Sequence, residues 1–303
     1  MITLLATWTF GVTLALVALG VFVSYRLFSF PDITTDGSFT LGAVTTTVLL
    51  VAGHDPAVAT LGGAAAGAAA GACTGLLHAI LRIEPLLSGI LVTTALSSVN
   101  LVVLGRSNVP LAGTATLLDR AEAFLLPATT AAGFGDAAAE AARLIVMLAL
   151  VGIAVLLLWV FFRTNLGTAM RAGGDTATMA RALGRDTGLL TVAGLAIANA
   201  LTALSGALVA QVQGFADVQM GIGMVVWGMA SVFLGAALVG PVRLGGALVA
   251  TVAGSITFRL LVASALRAGL HPDWLKAATA LVVLAALVAP RLFSRRPQAS
   301  AAR

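Results

Sequence analysis

The chain has 303 residues, 59% of them hydrophobic and only 10% charged, with a mean hydropathy of +1.05 and a formal net charge of +5. That leaves too little charged surface for a soluble globular domain, and the apolar residues come in blocks of about 20, the length that crosses a hydrocarbon core as a helix. Strand-type alternation is absent, which argues against a membrane β-barrel, and the arginines are scattered between apolar segments rather than striped with aromatics, which argues against nucleic-acid binding.

In chain order, the apolar pattern predicts nine spanning helices, near 3–25, 39–53, 57–81, 85–104, 143–162, 188–211, 222–240, 244–266 and 273–290. The first, within Met1 to Leu27, has no early basic residue and reads as a retained helix rather than a cleaved signal peptide. Pro31, Pro56, Pro85, Pro241 and Pro272 fall between segments or at first turns, where proline is tolerated. Gly63, Gly67, Gly71 and Gly75 recur at every fourth residue, a small-residue face that reads as intrachain helix packing. Cys73, the single cysteine, excludes an intrachain disulfide and reads as a small packing residue. Two longer connections, 105–142 and 163–187, separate the blocks, and a short basic tail follows Pro290.

Placing the 163–187 connection in the cytoplasm gathers most of the arginines on one side, among them Arg26, Arg82, Arg163, Arg171, Arg181, Arg185 and Arg243. The positive-inside bias then sets the N-terminus outside and the C-terminus in the cytoplasm.

The chain also echoes itself. Phe30-Pro31-Asp32-Ile33 returns as Phe215-Ala216-Asp217-Val218, an offset of 185 (30 to 215), and Leu61-Gly62-Gly63-Ala64 returns as Leu244-Gly245-Gly246-Ala247, an offset of 183 (61 to 244). Five predicted helices lie between the copies, so they are expected on opposite sides of a membrane, the first near the cytoplasm and the second near the outside. That is the pattern of an inverted-topology transporter repeat. Each copy joins an Asp to glycine and small polar groups ahead of an apolar helix. Such a stretch either lines a translocation path as a broken helix or is a loop whose Asp caps the next helix.

Within 163–187, a short helix is expected from Asp175 or Thr176 to Leu183, with Met179 and Leu183 forming an apolar edge and Arg181 elsewhere on its surface. This edge suits either docking into a partner's groove or lying on lipid headgroups. His54, His78 and His271 lack metal-ligand spacing. His78 is expected to snorkel, and Arg259, the one charge deep in a predicted helix, to face the path, pair with an acid or snorkel. No nucleophile–base cluster is apparent, nor any phosphate-binding loop, because no Gly-Lys-Ser/Thr occurs and Lys276 is the only lysine. If ATP drives the protein, another polypeptide binds it.

These residues resemble a known group. Phe-Pro-Asp-Ile-Thr-Thr-Asp-Gly-Ser-Phe-Thr-Leu-Gly-Ala (30–43) is similar to the first signature of ABC-importer permeases of the tryptophan/tyrosine type, within the wider branched-chain amino-acid and ribose permease group. The segments 89–101, 105–111 and 171–184 resemble later signatures, and 198–211 followed by 214–223 is the strongest match. The sequence departs at Ala236, where glutamate is commoner in the group, and in its first turn, Asp-Ile-Thr-Thr-Asp.

The resemblance implies a permease that dimerises, stands on two ATP-binding subunits holding ATP and Mg, and receives cargo from an extracytoplasmic binding protein. It binds no cofactor and no nucleic acid itself.

The combined expectation is an all-α integral membrane permease of the bacterial inner membrane, with about nine helices in two inverted repeats containing broken segments. Its parts are a first repeat at 1–162, a coupling segment at 163–187, a second repeat at 188–290 and a basic tail at 291–303. Path or gate candidates are Asp32, Asp36, Thr93, Thr94, Asn100, Asn199, Asp217 and Gln219, with Ser97 beside them. Coupling candidates are Arg171, Asp175, Met179, Arg181, Leu183 and Gly184. Cargo is expected to be an amino acid or another small polar solute. The alternative is a secondary transporter driven by an ion gradient.

Overall fold

The computed structural model describes residues 1–175, 186–240 and 242–269, with isolated positions at 274, 277, 280, 281 and 284. The helix expected at 273–290 and the docking edge built on Met179, Arg181 and Leu183 therefore lie outside the described residues.

Helix α1 (Ile2–Val21) continues through a wider π-helical turn, Phe22–Leu27. After a break come α2 (Thr34–Val51), α3 (Pro56–Leu81) and α4 (Pro85–Leu104), then strand β1 (Asn108–Pro110) and α5 (Leu117–Ala131). A 3₁₀ turn leads into α6 (Ala138–Phe161), followed by α7 (Asn165–Asp175), α8 (Thr187–Gln213), strand β2 (Phe215–Asp217), α9 (Met224–Val239) and α10 (Leu244–Arg267). Six segments are long and apolar enough to cross a membrane: Ile2–Leu27, Pro56–Leu81, Pro85–Leu104, Gly135–Phe161, Thr187–Gln213 and Leu244–Arg267. The fold is helical and membrane-integral, as expected.

Local chemistry sets the helix ends. Pro56 and Pro85 open α3 and α4, where a missing N–H costs nothing, and Asp55 caps α3 by accepting the Ala57 amide at 2.9 Å. Asp55 also pairs with Arg120 of α5, which holds its carboxyl below the usual carboxylate range. Asp186 caps α8 through the Gly188 and Leu189 amides.

Two elements occupy stretches expected to be connections. Helix α5 starts on a capping box, with Thr116 Oγ1 accepting the Asp119 amide while Asp119 accepts the Thr116 amide. Helix α7 follows Thr164, whose hydroxyl accepts the Gly167 amide at 3.2 Å.

Helices α1 and α8 form the centre. Every residue of α1 from Gly11 to Val21 is buried, the behaviour of a helix that is apolar all round. The first helix of each predicted half packs against the later helices of the other. Helix α8 lies along α2 and α3, α1 lies along α9 and α10, and α1 and α8 also touch. Glycine permits these contacts. A Cβ on Gly42 would collide with the Ala203 carbonyl, one on Gly67 with Ala203 Cβ and the Asn199 carbonyl, and one on Gly71 with the Leu195 carbonyl. The small-residue face of α3 thus packs within the chain, as its spacing predicts. Cys73, in contrast, is exposed.

Strands β1 and β2 pair antiparallel, with Asn108 opposite Asp217. This ribbon is the one departure from helix among the described elements that the sequence did not foreshadow.

Candidate functional site: a polar seam across the helix core

The break after α1 begins in its own backbone. Ser29 takes a left-handed conformation with φ at 51°, the Phe30 amide bonds back to the Ser24 carbonyl at 3.0 Å, and Pro31 has no N–H to continue a helix. The chain then turns at Asp32, whose Oδ1 accepts the Thr34 amide at 2.9 Å and so caps α2. Asn199, near the middle of α8, donates from Nδ2 to Asp32 Oδ2 at 2.6 Å and to its own Leu195 carbonyl at 3.0 Å. Asp32 is 4% exposed and Asn199 is fully buried. The first Asp turn therefore lies beside the middle of a helix long and apolar enough to span a membrane.

Other polar groups extend the seam. Thr34 Oγ1 and Thr74 Oγ1 are 2.7 Å apart, Thr93 Oγ1 donates to the Ile33 carbonyl at 3.0 Å, and Asn100 Nδ2 donates to the Gly37 carbonyl at 3.3 Å. Asp36 crosses to another element. Its Oδ2 accepts the Gly223 amide at 3.0 Å and its Oδ1 the Val225 amide at 2.8 Å, which caps α9 from a distant part of the chain. The Gly221 amide donates to Thr40 Oγ1 at 3.1 Å beside it. Gly223 itself has φ at 90°, a conformation glycine adopts without cost.

Asp32, Asp36, Thr93, Asn100 and Asn199 are thus drawn to one seam around the start of α2, and the four polar side chains besides Asp36 each bond across it. Four of the remaining candidates are placed elsewhere. Thr94 and Ser97 are exposed on α4 and bond to their own helix carbonyls. Asp217 lies in β2, where Oδ1 accepts the Gln219 amide at 2.8 Å and Oδ2 is 3.5 Å from Asn108 Nδ2, and Gln219 is exposed. Of the coupling candidates, Arg171 lies on α7 and Asp175 ends it, while Met179, Arg181, Leu183 and Gly184 lie outside the described residues.

Sequence reasoning missed Gln211 of α8. Its Nε2 donates to Thr60 Oγ1 at 2.9 Å, and its Oε1 accepts the Leu117 amide at 2.8 Å. A glutamine near the end of an apolar helix was the available signal. His78 does not snorkel. Its Nδ1 is 2.8 Å from the Ile83 carbonyl and its ring packs edge-on to Phe30. Arg259 stacks over the Phe10 ring at 4.5 Å, with no acid within ion-pair distance among the described residues.

A polar cleft of about 440 Å³ opens beside the ribbon, bordered by Thr116, Asp119, Arg143 and Gln211. An apolar one of about 800 Å³ runs between α3, α6 and α8.

Comparison with known proteins places the chain in a family. The family model described as branched-chain amino acid transport system / permease component matches residues 3–288. The chain is 36% identical over 289 residues to the tyrosine transport system permease protein of Clostridioides difficile, covering 95% of this chain and 92% of that one. It is 32% identical over 221 residues to an uncharacterised protein of Rickettsia prowazekii, covering 72% of this chain and 71% of that one. No solved structure matches it significantly. The chain belongs to the family of permease components of branched-chain amino acid transport systems, and is a multi-pass transport protein of amino-acid permease type rather than an enzyme.

Proposed function

We propose that this chain is the membrane subunit of an ATP-driven importer that receives an amino acid from an extracytoplasmic binding protein, and that it works as a homodimer on two ATP-binding subunits carrying ATP and Mg. Its spans form two inverted repeats, 1–162 and 188–290, about nine helices in all, joined by a coupling segment at 163–187. The N-terminus is outside and the C-terminal tail, 291–303, cytoplasmic.

The observation that carries this reading is the seam. Asp32 to Asn199 and Asp36 to Gly223 and Val225 are hydrogen bonds between the two proposed repeats, set among apolar spans. The order of elements supports the repeat. A 26-residue span, an Asp turn and a pair of helices occur first from Ile2 and again from the 27-residue span at Thr187. In the mechanism we infer, the nucleotide state of the partner favours one access state, and the repeats rock by exchanging these seam bonds for others. Hydrogen bonds of this kind are worth about 0.5–3 kcal/mol each net, small enough for an ATP-driven step to trade.

Tyrosine is the first cargo to test, given the name of the Clostridioides relative. The decisive experiment is uptake of labelled tyrosine and other amino acids into proteoliposomes holding the permease with its ATP-binding subunit and binding protein. Uptake that requires all three and ATP is expected. Uptake driven by a sodium or proton gradient with no ATP-binding subunit, and lost in Asp32→Asn, would establish the secondary-transporter alternative instead.

A further inference from the structure

The end of the bundle where α6 passes into α7 carries a basic cavity, two of whose arginines, Arg163 and Arg171, lie in the proposed coupling segment. It has a volume of about 510 Å³ and is lined by Trp159, Arg163, Arg171, Arg243, Leu244 and Gly245. Three arginines thus line one space, and no carboxylate lines it among the described residues. The charges come from separate elements: Arg163 just after α6, Arg171 on α7 and Arg243 just before α10.

Local structure holds them there. Arg163 stacks over the Trp159 ring at 4.6 Å, and the absence of a side chain on Gly245 leaves room for that indole, whose Cδ1 and Nε1 would lie 3.0 Å from a Cβ. Gly167 allows the tight turn that folds α7 back, since a Cβ there would collide with the Phe161 carbonyl, and Met170 anchors α7 in the core. Arg171 Nε is buried and has no hydrogen-bond partner among the described residues. Three arginines lining one cavity with no carboxylate among them favour an anion there.

Their depth identifies its carrier. Arg163 and Arg243 sit one or two residues beyond the spans Gly135–Phe161 and Leu244–Arg267, at headgroup level, and Trp159 is placed as interfacial tryptophans are. Exposed apolar side chains, Val160 on α6 and Val249 on α10, lie on the same elements. We propose that this cavity binds the phosphate of an anionic lipid, with the three arginines on the headgroup and the acyl chains on the neighbouring apolar surface.

Native mass spectrometry of the purified protein in mixed phosphatidylglycerol and phosphatidylcholine micelles tests this. Wild type is expected to retain phosphatidylglycerol preferentially. Each Arg→Gln change at 163, 171 or 243 lowers that preference about fivefold, and the triple variant lowers it about a hundredfold, as expected for roughly 1 kcal/mol per basic residue at a membrane surface. Arg106→Gln leaves it unchanged. The triple Arg→Lys variant, which keeps the charge, reads the same preference if the glutamine triple does not fold, and is expected to keep most of it. Inorganic phosphate alone binds far more weakly than the lipid, because it has no chains. Equal retention of the two lipids by wild type, an unchanged preference in the folded triple variant, or displacement of the lipid by millimolar phosphate overturns the proposal. Loss of the ATP-binding subunit from the triple variant with lipid preference intact also overturns it, and makes the surface a protein-docking site.

Discussion

Asp32 and Asp217 open the two copies of the internal echo and make the same turn, each accepting the amide two residues ahead, at 2.9 and 2.8 Å. Their surroundings differ. Asp32 is buried against the middle of α8 and bonded by Asn199, whereas Asp217 sits in the short β-ribbon with only a long contact to Asn108. A shared sequence therefore sets the local turn, and the packing around it decides whether the carboxylate joins a junction or an edge. The segment after Asp217 reaches the junction by its backbone instead, through the Gly223 and Val225 amides on Asp36. Asp32, just before α2, thus serves the start of that helix, and Asp36, within it, the start of α9.

The largest break in this asymmetry comes from the helix contacts that bury the first turn. Gly42→Val puts a side chain into the Ala203 carbonyl, and Gly206→Val puts one into the Phe39 carbonyl, both where α2 meets α8. Backbone offers no rotamer to move, so we expect a loss of about 3 kcal/mol or more and little monodisperse protein in detergent. Gly152→Val on α6, where nothing lies within 4 Å, should leave yield and thermal unfolding unchanged.

Next is Asn199→Leu, which leaves one oxygen of a buried carboxylate without its donor. The expected cost is about 2–3 kcal/mol, read as a lowered thermal midpoint in detergent. The double variant Asn199→Leu with Asp32→Leu should recover part of it, because removing both partners leaves no orphaned polar group.

How far the sequence foretold this seam depends on the range of the interaction. Spans were readable because burial in lipid needs long apolar runs, and Pro56 and Pro85 marked helix starts by a strictly local rule. The spacing of Gly63, Gly67, Gly71 and Gly75 announced packing, though not that α8 was the main partner. Helix α5 was legible in principle, since Thr116 and Asp119 form a capping box three residues apart, but the long connection masked it. The ribbon was not legible. Its two strands are three residues each, lie about a hundred residues apart and stabilise each other only once the helices have brought them together. Asp36 capping α9 is of the same kind, because no local pattern links residue 36 to residue 223.

Asp36→Ala separates these two kinds of information. It removes a cap supplied from another element, and caps are worth about 1–2 kcal/mol. Hydrogen exchange should rise in the first turn of α9, at Met224 and Val225, while the turn at Asp32 stays protected. Equal loosening of both turns would mean that the seam opens as one unit.

The smallest effect is expected at Asp217. Asp217→Asn keeps an oxygen to accept the Gln219 amide and changes only a half-exposed charge at the ribbon, so stability should move by no more than about 0.5 kcal/mol. The same change at Asp32 replaces a buried acceptor facing the Asn199 amide with a second amide, which presents an N–H to an N–H unless one of them flips. Thermal unfolding of the two variants side by side therefore measures how far burial has separated two copies of one motif. A loss at Asp217 as large as that at Asp32 would mean the ribbon is a junction of the same rank, and that its long contact to Asn108 understates its load.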